Sequence, residues 1–262
     1  MNIRTTIVMS ATLILLTIHV PVFAAEEAEK PSGSMSVAML SKYVWRGYEL
    51  SKDSMVIQPS LTASYLGFSL NLWGNLDTAQ STALYAKDGA NWNETDLTLS
   101  YGGKAGMVNY AAGYIYYGLE GAADTQEVYG SLGLDTILAP TLTVYRDIGA
   151  SPGWYVTLGV SHSLQVTDKI SLALAGQVSY LSADEASTLA APGDPKSAYR
   201  DFHDGRLSAT LNIPLSETIT VAPNISYSFA LSDGASEVIK AASASGRDDD
   251  FLFGGITLTM AL

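Results

Sequence analysis

The sequence contains no cysteine, and only 15% of its 262 residues are charged. Without cysteine an exported fold must be stable without disulfides, which excludes a small disulfide-rich scaffold. After the N-terminus, no window holds about 18 uncharged apolar residues in a row, so a membrane protein built from spanning helices is also excluded. The sequence has only three histidines, so a zinc site would depend on carboxylates. We therefore predict no metal and no cofactor.

The charge balance is acidic, because 14 Lys and Arg face 26 Asp and Glu, for a net charge of −12. A strongly acidic chain is a poor ligand for nucleic acid, which we exclude as a partner. The few charges accompany 15 tyrosines and 23 glycines. This composition is typical of the aromatic girdles and tight turns of a membrane β-barrel rather than of a solvated globular surface.

The N-terminus has the three parts of a secretory signal peptide over residues 1–24. Arg4 supplies the positive start, residues 7–20 are largely apolar, and Ala24 ends a cleavage site of the A-x-A type. Residues 25–33 have no periodicity, which predicts a disordered periplasmic lead-in. An exported chain without disulfides fits the envelope of a Gram-negative bacterium.

The C-terminal stretch, residues 251–262, reads FLFGGITLTMAL and alternates with a period of two. Apolar residues such as Ile256 and Leu258 share one parity, and Thr257 and Thr259 share the other, which is the pattern of a strand. An apolar strand at the end of a chain needs a neighbour, and we predict that it pairs with the first strand to close a barrel. The apolar parity would then face lipid and the small polar parity a wet interior.

The same alternation runs through residues 34–262 and predicts a single all-β domain, a closed antiparallel transmembrane β-barrel of about twelve strands. Short turns near residues 66, 103, 137, 166 and 215 alternate with longer polar loops. In single-chain outer-membrane barrels the N-terminus and the short turns are periplasmic and the long loops are external. We expect that topology here, with one multi-pass barrel in the outer membrane.

Parity also predicts which side chains line the pore. The first strand is expected to continue to Arg46, which turns two basic side chains inward, and inward carboxylates on later strands would face them. The predicted pore-lining residues are Lys42, Arg46, Trp73, Asp77, Glu94, Asp96, Glu127, Tyr129 and Arg206. Two interpretations remain open. The charged side chains line a water-filled pore and select solutes, or they pair with each other and fill a dry lumen.

A third possibility is a membrane-embedded hydrolase built from His203, Asp204 and Ser208. Adjacent residues on a strand point to opposite faces, so His203 and Asp204 are not expected to act on one substrate. We predict that the protein is not an enzyme and has no catalytic residues. Its function is then either passive diffusion of small hydrophilic or charged solutes through a porin-like channel, or, as the alternative, that of a non-conducting barrel acting as a hydrolase or a structural or adhesion protein.

Four segments carry a resemblance to a known family: SKYVWRG from Ser41, ETDL from Glu94, GYIYY from Gly113 and EVYG from Glu127. They resemble the TorF-type putative porins, a bacterial outer-membrane family, and the likeness is best in the N-terminal half. The resemblance implies an envelope barrel and a pore but no particular substrate. The expected partners are outer-membrane lipid and lipopolysaccharide, the barrel-assembly machinery and small solutes.

Overall fold

A computed structural model describes residues 30–80 and 89–262. The predicted signal peptide and most of the predicted lead-in lie outside these residues. The elements, in chain order, are β1 (Ser32–Leu40), β2 (Val44–Trp45), β3 (Tyr48–Glu49), β4 (Val56–Tyr65), β5 (Phe68–Gln80), β6 (Gly89–Ala105), β7 (Val108–Leu119), β8 (Thr125–Leu134), β9 (Thr141–Asp147), β10 (Gly153–Gln165), β11 (Ser171–Ala183), β12 (Ala190–Ala191), β13 (Asp194–Ala198), β14 (Arg200–Pro214), β15 (Ile219–Ala230), α1 (Asp233–Ala242) and β16 (Asp250–Ala261).

Twelve of these strands form one closed antiparallel barrel, which confirms the predicted fold class. Following the chain, each barrel strand pairs with the next, and β16 returns to pair with β1 from Ser34↔Ala261 to Leu40↔Gly255. The predicted pairing of the C-terminal strand with the first strand is therefore confirmed. Closure leaves no strand edge with unpaired backbone groups, which is what a barrel in lipid requires.

The outer wall of the barrel is apolar and exposed. Side chains of one parity, such as Leu70, Leu99 and Leu158, each leave about half of their surface uncovered by protein. Their strand neighbours Ser69, Ser100 and Thr157 point inward and are buried. A continuous exposed apolar surface around a closed barrel is the surface of a protein that lies in a lipid bilayer.

The two ends of the barrel differ in the length of their connections. Five short turns, at residues 66–67, 106–107, 135–140, 166–170 and 215–218, share one end with the start of β1 and the end of β16; we name this the turn end. The other end, the loop end, carries the four longest connections between barrel strands, together with two short ones at residues 120–124 and 148–152. The turn expected near residue 103 lies at 106–107, because β6 continues to Ala105.

The first strand is shorter than predicted. β1 ends at Leu40, and residues 41–55 leave the wall before β4 begins at Val56, which is paired with Leu40. Within this connection β2 and β3 form a small hairpin, with Trp45 opposite Tyr48. Its two turn residues, Arg46 (φ 48°) and Gly47 (φ 83°), both have a left-handed backbone, as a two-residue type I′ turn requires.

The connection between β15 and β16, expected to be a polar loop, contains the helix α1. The Ser232 side chain caps it by accepting a hydrogen bond from the Ala235 backbone N–H at 3.0 Å. Ala235, Val238 and Ile239 recur at helical spacing and are buried. No helix among the described residues is long and apolar enough to cross a membrane.

The hairpin and the helix pack together inside the barrel. Val44 of the hairpin, Ala235 and Ile239 of the helix and the inward-facing Phe251 and Phe253 of β16 form one buried cluster. Polar bonds extend this contact where the helix ends, since the Glu49 backbone N–H donates to the Ser243 hydroxyl at 3.1 Å. We name residues 41–55 and 231–249 together the plug, because the buried parts of both segments pack inside the barrel near the loop end.

Candidate functional site in the barrel lumen

Arg46, at the tip of the hairpin, reaches the opposite wall of the barrel. The hairpin leaves the wall between β1 and β4, whereas β9 lies opposite β1 with five strands on each side. The two guanidinium nitrogens Nη1 and Nη2 donate to the two carboxylate oxygens of Glu127 on β8, each at 2.7 Å. The plug therefore spans the lumen and is anchored on both sides.

The environment of Arg46 stabilises its charge. Its guanidinium lies over the rings of Trp45 at 4.4 Å and Tyr155 at 4.3 Å, which is a favourable cation–π arrangement. Burial alone would lower the pKa of Arg46, but the carboxylate of Glu127 outweighs it and raises this pKa above its ordinary value. Glu127 also accepts a hydrogen bond from the Tyr117 hydroxyl at 2.8 Å. The pair is a buried, bidentate ion pair.

Lys42 lies in the connection after β1 rather than on the strand, so the predicted inward position on the first strand is replaced by a place within the plug. Its Nζ pairs with the carboxylate of Glu49, which is only 1% exposed, and lies 3.9 Å from Asp53. Both partners belong to the plug. Lys42 therefore stabilises the hairpin itself.

The predicted acidic residues of β5 and β6 line the wall beside the plug. Asp77 and Glu94 are buried, and Asp96 is partly buried. Asp77 accepts a hydrogen bond from the Ala79 backbone N–H at 3.0 Å. One oxygen of Asp96 is buried without a hydrogen-bond partner among the described residues. Within those residues none of the three carboxylates forms a salt bridge, so this wall holds three acidic side chains without a basic partner in contact.

Two predicted aromatic residues narrow the lumen at the plug. Trp73 on β5 packs against Tyr43 of the hairpin, with ring centroids 5.8 Å apart. Tyr129 begins a row of inward tyrosines on neighbouring strands, 5.7 Å from Tyr145, which in turn lies 6.0 Å from Tyr155. Tyr145 and Tyr155 also contact the guanidinium of Arg46. This row is the surface on which the hairpin tip rests.

His203 and Asp204 both face the lumen, contrary to the prediction that they point to opposite faces. The pairing of β11 with β14 is shifted between Val178 and Tyr180, so both residues lie opposite Ser179 in a β-bulge. A bulge places one extra residue in the strand and breaks the alternation. The parity rule therefore failed at this position.

The bulge does not assemble a hydrolase site from these residues. The two ring nitrogens of His203 already contact the Tyr199 hydroxyl at 3.0 Å and the Arg46 carbonyl at 3.1 Å. Asp204 accepts hydrogen bonds from the hydroxyls of Ser179 and Tyr155. In residues 30–80 and 89–262 no hydrogen bond links His203 to Ser208, and no group of three or more potential ligands could hold a metal ion. His203 instead holds the hairpin turn.

The lumen on the turn side of the plug has a different lining. Its inward side chains are small, mostly hydroxyls and amides, and many are only partly buried. We name this space the vestibule, and its lining includes Ser36, Thr62, Asn71, Thr143, Thr210 and Asn224. Small side chains do not fill the interior of a barrel of this strand number. The lumen therefore contains loop segments near one end and is lined by small polar side chains near the other.

Arg206 faces this polar space from β14. One of its terminal nitrogens, Nη2, donates to the Ser226 hydroxyl at 3.3 Å, and its guanidinium lies 4.9 Å from the centre of the Phe253 ring. Unlike Arg46, it has no carboxylate within salt-bridge distance in the described part of the chain. The two predicted arginines thus have different roles.

No family model matches the chain, and no curated protein matches its sequence. Among solved structures, the NanC porin in a rhombohedral crystal form aligns with 87% of this chain and 98% of its own length, at 12% identity and a TM-score of 0.50. An outer-membrane channel from Pseudomonas putida F1 aligns with 90% of this chain and 97% of its own, at 10% identity and a TM-score of 0.49. The similarity to the first establishes an outer-membrane β-barrel fold. Membership of the TorF-type family stays a prediction.

Proposed function

We propose that the protein is an outer-membrane channel for small hydrophilic or charged solutes, and that the plug closes it at rest. The observation that carries this proposal is the division of the lumen. Its obstruction consists of two loop segments, whereas the wall on the turn side is small and polar. A barrel with a purely structural role has no need of a polar lumen, because large apolar side chains can fill it at lower cost.

In this proposal the turn end and the N-terminus are periplasmic, and the loop end faces outward. The signal peptide directs export, the assembly machinery inserts the barrel, and lipid and lipopolysaccharide surround the apolar wall. The chain then has no enzymatic role, since the lumen residues that could do chemistry hold the plug.

The charges predict what the open state selects. When the hairpin leaves the lumen, it removes the basic side chains Lys42 and Arg46 from the pathway. The wall keeps the carboxylates of Glu94, Asp96 and Glu127 beside the path of the solute. An open channel with this wall favours cations, because fixed carboxylates attract cations and repel anions.

The competing function is that of a non-conducting structural or adhesion barrel. The buried Arg46–Glu127 pair supports it, since a closed barrel also needs such an anchor. Under that alternative the plug never leaves the lumen, and its removal would damage the barrel without creating a pathway.

Osmotic swelling of proteoliposomes separates the two functions. Leu40 and Val56 are paired neighbours, so an Asn-Gly turn can replace residues 41–55 without stretching the chain. We expect liposomes with this variant to swell rapidly in an uncharged sugar, and those with the wild type to swell slowly. The control replaces residues 191–197, in an exposed connection of the loop end, with the same turn. Equal swelling of all three proteins would reject the gated channel.

A further inference from the structure

Arg206 is a partly buried positive charge that has no salt-bridge partner among the described residues. Its Nε is buried and makes no hydrogen bond within the described residues. The nearest carboxylate along its strand, Asp204, is already bonded by Tyr155 and Ser179. A guanidinium has five N–H donors, and within residues 30–80 and 89–262 only one of them meets a protein acceptor, at the long distance of 3.3 Å.

The wall next to Arg206 offers further donors. Asn224 lies on β15 two positions from Ser226, on the same inward face, and its Nδ2 is buried without a hydrogen-bond partner in the described chain. On β16 the Thr257 hydroxyl is likewise buried and unpartnered. The register brings these strands side by side, since Asn224 pairs with Gly255 and Ala222 with Thr257. This stretch of wall therefore presents unused donors and one positive charge.

We propose that Arg206, Ser226 and Asn224 form a binding site for a small carboxylate. The planar Nε–Nη edge of a guanidinium matches the two oxygens of a carboxylate. Ser226 and Asn224 supply a hydroxyl and an amide N–H beside it, and Phe253 gives the guanidinium a flat apolar support. The anion neutralises a charge that has no salt-bridge partner in the described part of the chain.

This site lies on the vestibule side of the plug, where Arg206 keeps part of its surface open. In this proposal the anion enters from the turn end, so that it does not pass the Arg46 anchor. The inference therefore goes beyond the proposed channel and does not require the plug to open. A barrel that never conducts would still bind the anion, so the two proposals fail independently.

The test uses nuclear magnetic resonance on the full mature barrel, refolded in detergent and labelled with ¹⁵N at the arginine side chains. Sodium acetate is titrated at constant ionic strength, with sodium chloride replaced in step. We expect a saturable shift of the Arg206 Nε signal, which Arg206→Gln identifies by its loss. Acetamide, which is neutral and of the same shape, should cause no shift. Equal responses to acetate, acetamide and chloride would overturn the site.

Variants locate the site further. Asn224→Ala should weaken acetate binding about tenfold, the effect of losing one hydrogen bond to a charged group. Arg200→Gln removes an exposed arginine of the same strand and should leave binding unchanged. Saturation transfer from protein to the acetate methyl group should disappear in Arg206→Gln. If Arg206→Gln does not fold, the titrations of the wild type and of Asn224→Ala still test whether acetate binds at this site. Undiminished acetate binding in Asn224→Ala would reject the proposed geometry.

Discussion

Arg46 and Glu127 join opposite sides of the barrel through two parallel hydrogen bonds of 2.7 Å. One partner belongs to a loop, and the other to the wall. Glu127 is 2% exposed and also holds the Tyr117 hydroxyl, so its charge is fixed in place. The pair therefore helps to determine where the hairpin rests, and it must break if the hairpin is to leave the lumen.

Substitution of only one partner of this ion pair should lower the free energy of unfolding strongly. Glu127→Gln leaves the buried Arg46 without its counterion, and we expect unfolding in denaturant to lose roughly 3–5 kcal/mol of stability. Arg46→Gln should cost a similar amount. The double variant Arg46→Gln/Glu127→Gln should cost clearly less than the two single changes added together, since no charge is stranded. Additive losses would show that the two side chains are not coupled.

Arg206→Gln should behave in the opposite way. Arg206 has no salt-bridge partner among the described residues, and the nearby Asp204 keeps its hydrogen bonds from Ser179 and Tyr155, so Arg206→Gln breaks no ion pair and relieves a burial penalty. We expect its unfolding free energy to change by less than about 1 kcal/mol. The same denaturant titration, run beside Arg46→Gln, measures the contrast. A loss as large as that of Arg46→Gln would contradict the assignment of different roles.

Gly47, in the hairpin turn, provides a test of how closely the hairpin packs inside the barrel. A Cβ at residue 47 would lie 2.9 Å from the Ile239 Cδ1 and 3.0 Å from the Asp204 Cβ, on a backbone with φ of 83°. Gly47→Ala should therefore displace the hairpin and increase swelling of proteoliposomes. Gly193→Ala is the matched control, because its φ is 75° but nothing lies within 4 Å of the added Cβ. Both changes carry the same backbone strain, of about 1–2 kcal/mol. Equal swelling of the two variants would mean that the contact with Ile239 and Asp204 is irrelevant.

The proposed topology can be tested with epitope tags. Gly193, in the exposed connection between β12 and β13, should accept a tag that antibodies reach on intact cells. A tag at Asp168, in a turn-end connection, should become accessible only after the outer membrane is permeabilised. Unboiled samples that migrate as folded barrels provide the control for assembly. Labelling at Asp168 but not at Gly193 on intact cells would show that the barrel has the opposite orientation in the membrane.

The barrel wall could be predicted from the sequence because its signal is local. In strands such as β10 and β16 each residue alternates with its neighbour, and lipid on one side and a polar lumen on the other sustain that alternation throughout. The closing pair of β1 with β16 followed because an apolar terminal strand needs a partner. The same rule places seven predicted residues on the inward face, and in the structure their side chains are buried or partly buried: Trp73, Asp77, Glu94, Asp96, Glu127, Tyr129 and Arg206. That they line a conducting pore stays a prediction.

The plug could not be predicted by that rule. Residues 41–46 alternate as a wall strand does, and what removes them from the wall is packing against α1 and Glu127, which are distant in sequence. The β-bulge at His203 could not be predicted for a similar reason, because a register shift depends on the pairing with the partner strand. The helix α1 did leave a signal, since Ser232 is a favourable N-cap and Ala235, Val238 and Ile239 have helical spacing.

Single-channel recording in planar bilayers tests the gated channel most directly. The wild type should remain closed for most of the recording and open briefly. The variant in which an Asn-Gly turn replaces residues 41–55 should conduct steadily, with a conductance at least several-fold higher and a reversal potential that indicates cation preference. Folded barrels of both proteins are verified by heat modifiability before recording. A folded variant that conducts no more than the wild type would show that the plug is a permanent part of a closed barrel, and would contradict the proposed function.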